Sequence, residues 1–155
     1  MSWLNPFVVP YRSSGTGRFM NQSPKANRPL DHVAIAVNSI EESRSLFELL
    51  SGDSCSTTET IEAQGVNVAF IGTIELLEPI HPETTVGRFL ESRGQALHHI
   101  AFRTDNLEKE LARLEEAGIR LIDKEPRVGA NGHKVAFLHP STTGGVLVEL
   151  IERSG

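Results

Sequence analysis

Cysteine, tryptophan and tyrosine each occur once in this 155-residue chain, and aromatic residues make up only 6% of it. A lone cysteine, Cys55, excludes an internal disulfide, fits a reducing compartment and leads us to expect a cytoplasmic protein. No apolar run reaches the roughly 20 residues that a membrane-spanning helix needs, so no membrane partner is expected. Acidic residues are missing from positions 1–29, which carry Arg12, Arg18, Lys25 and Arg28. The remaining 11 basic residues therefore stand against 20 acidic ones, a balance that excludes the basic face a nucleic-acid partner requires.

Pro6, Pro10, Pro24 and Pro29 break any regular pattern in the first 29 residues, so this stretch is read as a flexible or loosely packed extension. A mitochondrial targeting peptide would need an amphipathic helix that these prolines interrupt. A docking arm for a second subunit, anchored by Trp3, Phe7 and Tyr11, is the other reading. The domain proper is expected over residues 30–155.

What the chain does have is an internal repeat. Leu30-Asp31-His32-Val33-Ala34-Ile35-Ala36-Val37 returns 67 positions later as Leu97-His98-His99-Ile100-Ala101-Phe102. The same offset carries Val68-Ala69-Phe70 onto Val135-Ala136-Phe137. After seven further residues, Ile74-Glu75-Leu76-Leu77-Glu78 meets Val148-Glu149-Leu150-Ile151-Glu152. Each copy opens with strand-like alternation and then switches to helical spacing. Ile40, Leu46, Phe47 and Leu50 mark the first helix, and Leu107, Leu111 and Leu114 the second. Asn38 or Ser39 is placed to cap the first, and Gly118 to end the second. Strands are expected at 54–59, 66–71 and 73–77, then at 119–124, 134–139 and 145–151. The fold class is thus α+β: two βαβββ modules (30–80 and 97–152) whose curved mixed sheets flank a shared cleft.

Both copies place a His in the first strand and a Glu in the last. His32, Glu75, His99 and Glu149 are therefore candidate ligands of one metal ion held between the modules. Imidazole with carboxylate suits a divalent ion such as Co, Zn, Ni, Fe(II) or Mn, and argues against an all-oxygen calcium site. The small residues Ala34, Ala36 and Ala101 beside the histidines are read as leaving space for a ligand. Alternation puts His98 on the opposite face from His99, in a structural or supporting role. His81, His133 and His139 are read as surface residues. The turn Gly129-Ala130-Asn131-Gly132 could present backbone N–H groups to an anion.

The paired modules with Leu-x-His at each start resemble the vicinal oxygen chelate superfamily, home of glyoxalase I. Residues 97–152 resemble the methylmalonyl-CoA epimerase family within it, through His98-His99-Ile100-Ala101, the run Asp123 to Ala130, Lys134 to Pro140, and Gly144 to Leu150. The first half agrees over Leu30 to Val37, at Gln64-Gly65-Val66 and over Ile74 to Pro79. The resemblance implies His32, Glu75, His99 and Glu149 as metal ligands, a divalent ion as cofactor, an acyl-CoA thioester as substrate and a homodimer. It further implies epimerisation of the 2R and 2S forms through a metal-stabilised enolate, with Glu149 as one acid/base. Some members carry a second glutamate four positions after the Gln of Gln-Gly-Val. Here that position is Val68, leaving a water on the metal, Glu62 or Lys134 as candidates. A glyoxalase I-like lyase or isomerase, and a non-catalytic small-molecule-binding protein on the same fold, are the alternatives. An extradiol dioxygenase fits less well, because Glu75 stands where such enzymes have His.

Overall fold

The computed structural model describes residues 28–155; the N-terminal extension and its anchors Trp3, Phe7 and Tyr11 lie outside the described residues. Alternating residues form β1 (Leu30–Ala36), and the chain then turns into α1 (Ile40–Ser51). Ser39 caps α1 by accepting from the Glu42 N–H at 3.2 Å, and Glu41 and Glu42 add favourable charge to the first turn. The strands β2 (Glu59–Ile61), β3 (Val66–Ile71) and β4 (Ile74–Pro79) complete the first module. A connecting helix, α2 (Thr85–Arg93), leads into β5 (Ala96–Arg103), α3 (Leu107–Glu116), β6 (Arg127–Val128), β7 (Lys134–Leu138) and β8 (Val148–Glu152).

The two modules join edge to edge as one eight-stranded sheet in the order β2-β3-β4-β1-β5-β8-β7-β6. The seam is the antiparallel β1–β5 pair, flanked symmetrically by the parallel pairs β1–β4 and β5–β8. α1 packs one face of the sheet through Ile40 and Phe47 against Ala69, Ile71 and Leu76. α3 does the same through Leu107 and Leu111 against Ala136, Leu138 and Leu150. Enclosing each of Ile71, Leu76 and Leu107 contributes about 2 kcal/mol. The apolar stripe of α1 is narrower than its spacing predicts, since Leu46 and Leu50 face solvent at 54% and 71% exposure.

Three expectations are corrected. The strand expected at 54–59 is only a bridge from Cys55 to Ile71, with β2 starting at Glu59. The one expected at 119–124 is likewise a bridge from Leu121 to Leu138, followed by the two-residue β6. Both are edge segments with room for few ladder bonds. The helix α2 was not anticipated; Thr84 caps it by accepting from the Gly87 N–H at 3.0 Å. Its Val86, Phe89 and Leu90 pack on Ala34, Ala36, Val66, Val68 and Leu77. The space above Ala34 and Ala36 is therefore filled by a helix rather than by a ligand. Among the described residues no helix is long and apolar enough to cross a membrane.

Candidate metal centre

The pairing registers put His32, Glu75, His99 and Glu149 on one face at the seam. Ala34 lies opposite both Glu75 and His99, and Ala101 opposite both His32 and Glu149. All four are buried, at 3%, 6%, 4% and 6% exposure. His32 Nε2 lies 3.4 Å from a Glu75 oxygen and 3.7 Å from a Glu149 oxygen. His99 Nε2 lies 3.6 Å from Glu75 and 3.5 Å from Glu149. Ligand atoms of His32, His99 and Glu149 all fall within 4.8 Å of one another. The sheet thus brings together the four residues singled out by the repeat.

Neither His32 Nε2 nor His99 Nε2 has a hydrogen-bond partner, although both atoms are buried. A buried, unpartnered polar atom is costly. Two of them converging on two carboxylates form a donor set that fits a divalent cation, with imidazole and carboxylate as its ligands. The other ring nitrogens are occupied: His32 Nδ1 lies 2.8 Å from Asp31 Oδ1, and His99 Nδ1 lies 2.9 Å from His98 Nδ1.

Burial opposes a charge on His32, but Glu75 and Glu149, with Asp31 behind the ring, outweigh it and raise its pKa to about 9. Burial, reinforced by Glu75, raises Glu149 to about 8. Burial, His98 and His32 push His99 well below its ordinary value, so it is neutral. Without a cation the cluster therefore holds protons on His32 and Glu149 near neutral pH.

The cluster lies in a cavity of about 860 Å³ whose lining includes Glu59, Val68, Phe70, Arg127, Val135 and Phe137. Glu59 pairs with Val68 across β2–β3, so it is the module-one carboxylate that lines this cavity outside the cluster. Its Oε2 accepts from the Asn131 N–H at 2.8 Å, and Gln64 donates to the Val128 carbonyl at 3.1 Å. These bonds tie the β6–β7 hairpin of module two to module one. Within that hairpin Gly129 donates to His133 O and Gly132 to Gly129 O. The Gly129, Asn131 and Gly132 N–H groups of the turn expected to hold an anion are thus bonded within the fold.

Lys134 points away from the cavity, toward Glu108 at 3.1 Å and Glu152 at 3.6 Å. Glu62, in an exposed turn, does not line it either. His81 is exposed, and His139 caps a turn by accepting from the Ser141 N–H, both as expected of surface positions. His133 departs from that expectation: it lines the cavity, 3.4 Å from Arg153. Strand alternation misplaced His98, because β5 carries a bulge there, which breaks the period of two. It also hid the role of Asp31, which sits at the matching bulge in β1. The signal for both was a polar residue directly before the clustered histidine in each copy of Leu-x-His.

Comparison with known proteins agrees with this geometry. The Glyoxalase/Bleomycin resistance protein/Dioxygenase superfamily matches residues 31–137. An uncharacterized protein of Bacillus subtilis is 48% identical over 130 residues, covering 81% of this chain and 93% of its own. An ethylmalonyl-CoA/methylmalonyl-CoA epimerase of Cereibacter sphaeroides is 36% identical over 127 residues, covering 78% and 95%. Among solved structures, a variant of Streptomyces coelicolor methylmalonyl-CoA epimerase in complex with 2-nitronate-propionyl-CoA superposes with a TM-score of 0.79. It is 31% identical and covers 84% of this chain and 97% of its own. This chain belongs to the Glyoxalase/Bleomycin resistance protein/Dioxygenase superfamily and, within it, to the methylmalonyl-CoA epimerase family of isomerases.

Proposed function

We propose that this protein is a metal-dependent epimerase that interconverts the 2R and 2S forms of methylmalonyl-CoA or a similar acyl-CoA. The observation that carries the reading is the pair of buried, unpartnered Nε2 atoms facing two buried carboxylates inside one cavity. His32, Glu75, His99 and Glu149 would hold the cation. When bound, the cation supplies positive charge that offsets the enolate formed as the α-proton leaves.

The chain's own residues then divide the remaining work. A malonyl-type α-proton lies between two carbonyls and is already acidified, so a carboxylate base suffices when held close and dry. Glu149 is that base in module two: it is buried, and its register opposite Phe137 and Ala101 aims it into the cavity. Inversion needs a second proton donor on the other wall. We assign that step to Glu59, the cavity-lining carboxylate directly across from Val68. Phe70 and Phe137 set edge-on against His32 and His99 at 5.7 and 5.1 Å, holding the imidazole planes and excluding water around them. The reading includes a cytoplasmic homodimer, and sedimentation of the purified protein tests the dimer.

Washout of the α-proton of (2R)- and (2S)-methylmalonyl-CoA into heavy water, followed by NMR, tests the reaction. Exchange that requires an added divalent ion is the expected result. Absence of exchange with the ion bound would move the protein to the glyoxalase-like alternative on the same site.

A further inference from the structure

The two bulges flanking the seam occupy equivalent places in the two modules. In β1 the pairing skips from Leu30↔Phe102 to His32↔Ala101, leaving Asp31 without an opposite residue. In β5 it skips from Ala34↔His99 to Ile35↔Leu97, leaving His98 without one. A bulge re-aims the side chain that it frees. Here each freed side chain reaches back to the ring nitrogen of the next residue, at 2.8 Å for Asp31 and 2.9 Å for His98.

The ligand role proposed above fixes the protons. A neutral imidazole that offers Nε2 to a cation carries its hydrogen on Nδ1. His32 Nδ1–H then donates to the Asp31 carboxylate. His99 Nδ1–H donates to His98 Nδ1, so His98 carries its own hydrogen on Nε2. The 2.9 Å contact requires a lone pair on His98 Nδ1, so that ring is neutral where it accepts. Asp31 is itself fixed: its side chain is fully enclosed, and Arg103 and Arg153 donate to it at 2.7–2.9 Å. His98 is held against the Phe89 ring at 4.8 Å.

We propose that Asp31 and His98 are paired positioning residues, one for each histidine of the metal centre, and that they are unequal. A carboxylate behind His32 makes it the more basic and more rigidly held ligand, whereas a neutral imidazole behind His99 makes it the weaker one. The inference rests on the metal-dependent reading and adds an internal order to it. Supports of this kind affect metal affinity by about 10- to 100-fold.

Titration of the metal-free protein with cobalt(II), read by calorimetry and by the visible d–d bands, tests the order. Asp31→Asn is expected to weaken cobalt binding by about 10- to 100-fold and to shift the bands, and His98→Ala by less than about tenfold. Arg103→Gln removes a charge partner of Asp31 but leaves the Asp31–His32 bond. It is expected to lower thermal stability with the cobalt spectrum unchanged, which a purely structural role for Asp31 would not separate. NMR of the histidine side-chain nitrogens in the zinc-loaded wild type provides a second measurement that needs no variant. Hydrogen on Nδ1 of both His32 and His99 is expected, and hydrogen on Nε2 of either overturns the inference. Folded Asp31→Asn with wild-type affinity and spectrum also overturns it, while leaving the epimerase reading standing. Wild type that binds no cobalt overturns both.

Discussion

Proton release on metal binding is the sharpest consequence of the cluster's electrostatics. Without a cation, His32 titrates at about 9 and Glu149 at about 8, while His99 is already neutral. At pH 7 a divalent ion must therefore displace nearly one proton from His32 and most of one from Glu149, about two in all. Each displaced proton changes apparent affinity tenfold per pH unit, or 1.36 kcal/mol. Raising the pH from 6 to 8 should then strengthen binding by nearly four orders of magnitude, equivalent to about 5 kcal/mol. The sign is fixed, because both groups are raised and their protons compete with the metal for the same lone pairs. Calorimetric titration at pH 7 in buffers of different ionisation enthalpy yields the proton count directly. A count near zero, or affinity that stays flat between pH 6 and 8, would refute the arrangement.

Further outcomes follow from single residues. Glu149→Gln keeps the side chain's shape but removes an anionic donor and the base, so proton washout should fall by at least about 100-fold in the NMR assay. Glu59→Gln should abolish epimerisation yet retain washout from one stereoisomer, since Glu149 still serves its own wall; equal loss from both isomers counts against the assignment. Burial opposes the charge on Asp31, but hydrogen bonds from Arg153, His32 and Arg103 outweigh it and hold the carboxyl well below its ordinary value. Its stabilisation is therefore complete above that value and lost as the pH falls, so acid unfolding monitored by circular dichroism should be steeper in wild type than in Asp31→Asn. Leu76→Ala empties a fully enclosed site beneath α1 and should cost about 2–5 kcal/mol in urea unfolding.

Much of the molecule was legible because its two halves restate each other. The offset of 67 located both first strands, both flanking helices and the two histidines of the cluster, and the same repeat, seven residues longer in its second copy, located Glu75 and Glu149. A polar residue that recurs at one place in two apolar strands is hard to explain as packing. The unread parts have physical reasons. The helix α2 lies between the copies, begins after Pro82, and buries only Val86 and Gly87, so no long apolar stripe announces it. Gly87 sits where a Cβ would strike the Pro82 carbonyl, so its purpose is visible only once the helix is folded back. The edge strands β2 and β6 span three and two residues, too few for alternation to register. The bulges at Asp31 and His98 could not be read from either strand alone, because an extra residue is defined only against its partner. That is why alternation sent His98 to the wrong face.

The same pairing logic explains how a nearly symmetric scaffold can treat two orientations of one substrate unequally. Glu59 lies opposite Val68 in module one, and Arg127 lies opposite Val135 in module two. Val68 and Val135 are equivalent under the repeat, so the cavity presents a carboxylate on one wall where it presents a guanidinium on the other. Arg127 is held by Asp123 at 3.1 Å and lies over the Phe137 ring at 5.9 Å, which keeps its charge on the cavity side of β7. An anionic thioester bound between these walls would be drawn toward the Arg127 wall. The symmetric part of the fold supplies the shared cluster proposed to hold a cation, and the departures from symmetry would set the direction in which a substrate lies across it.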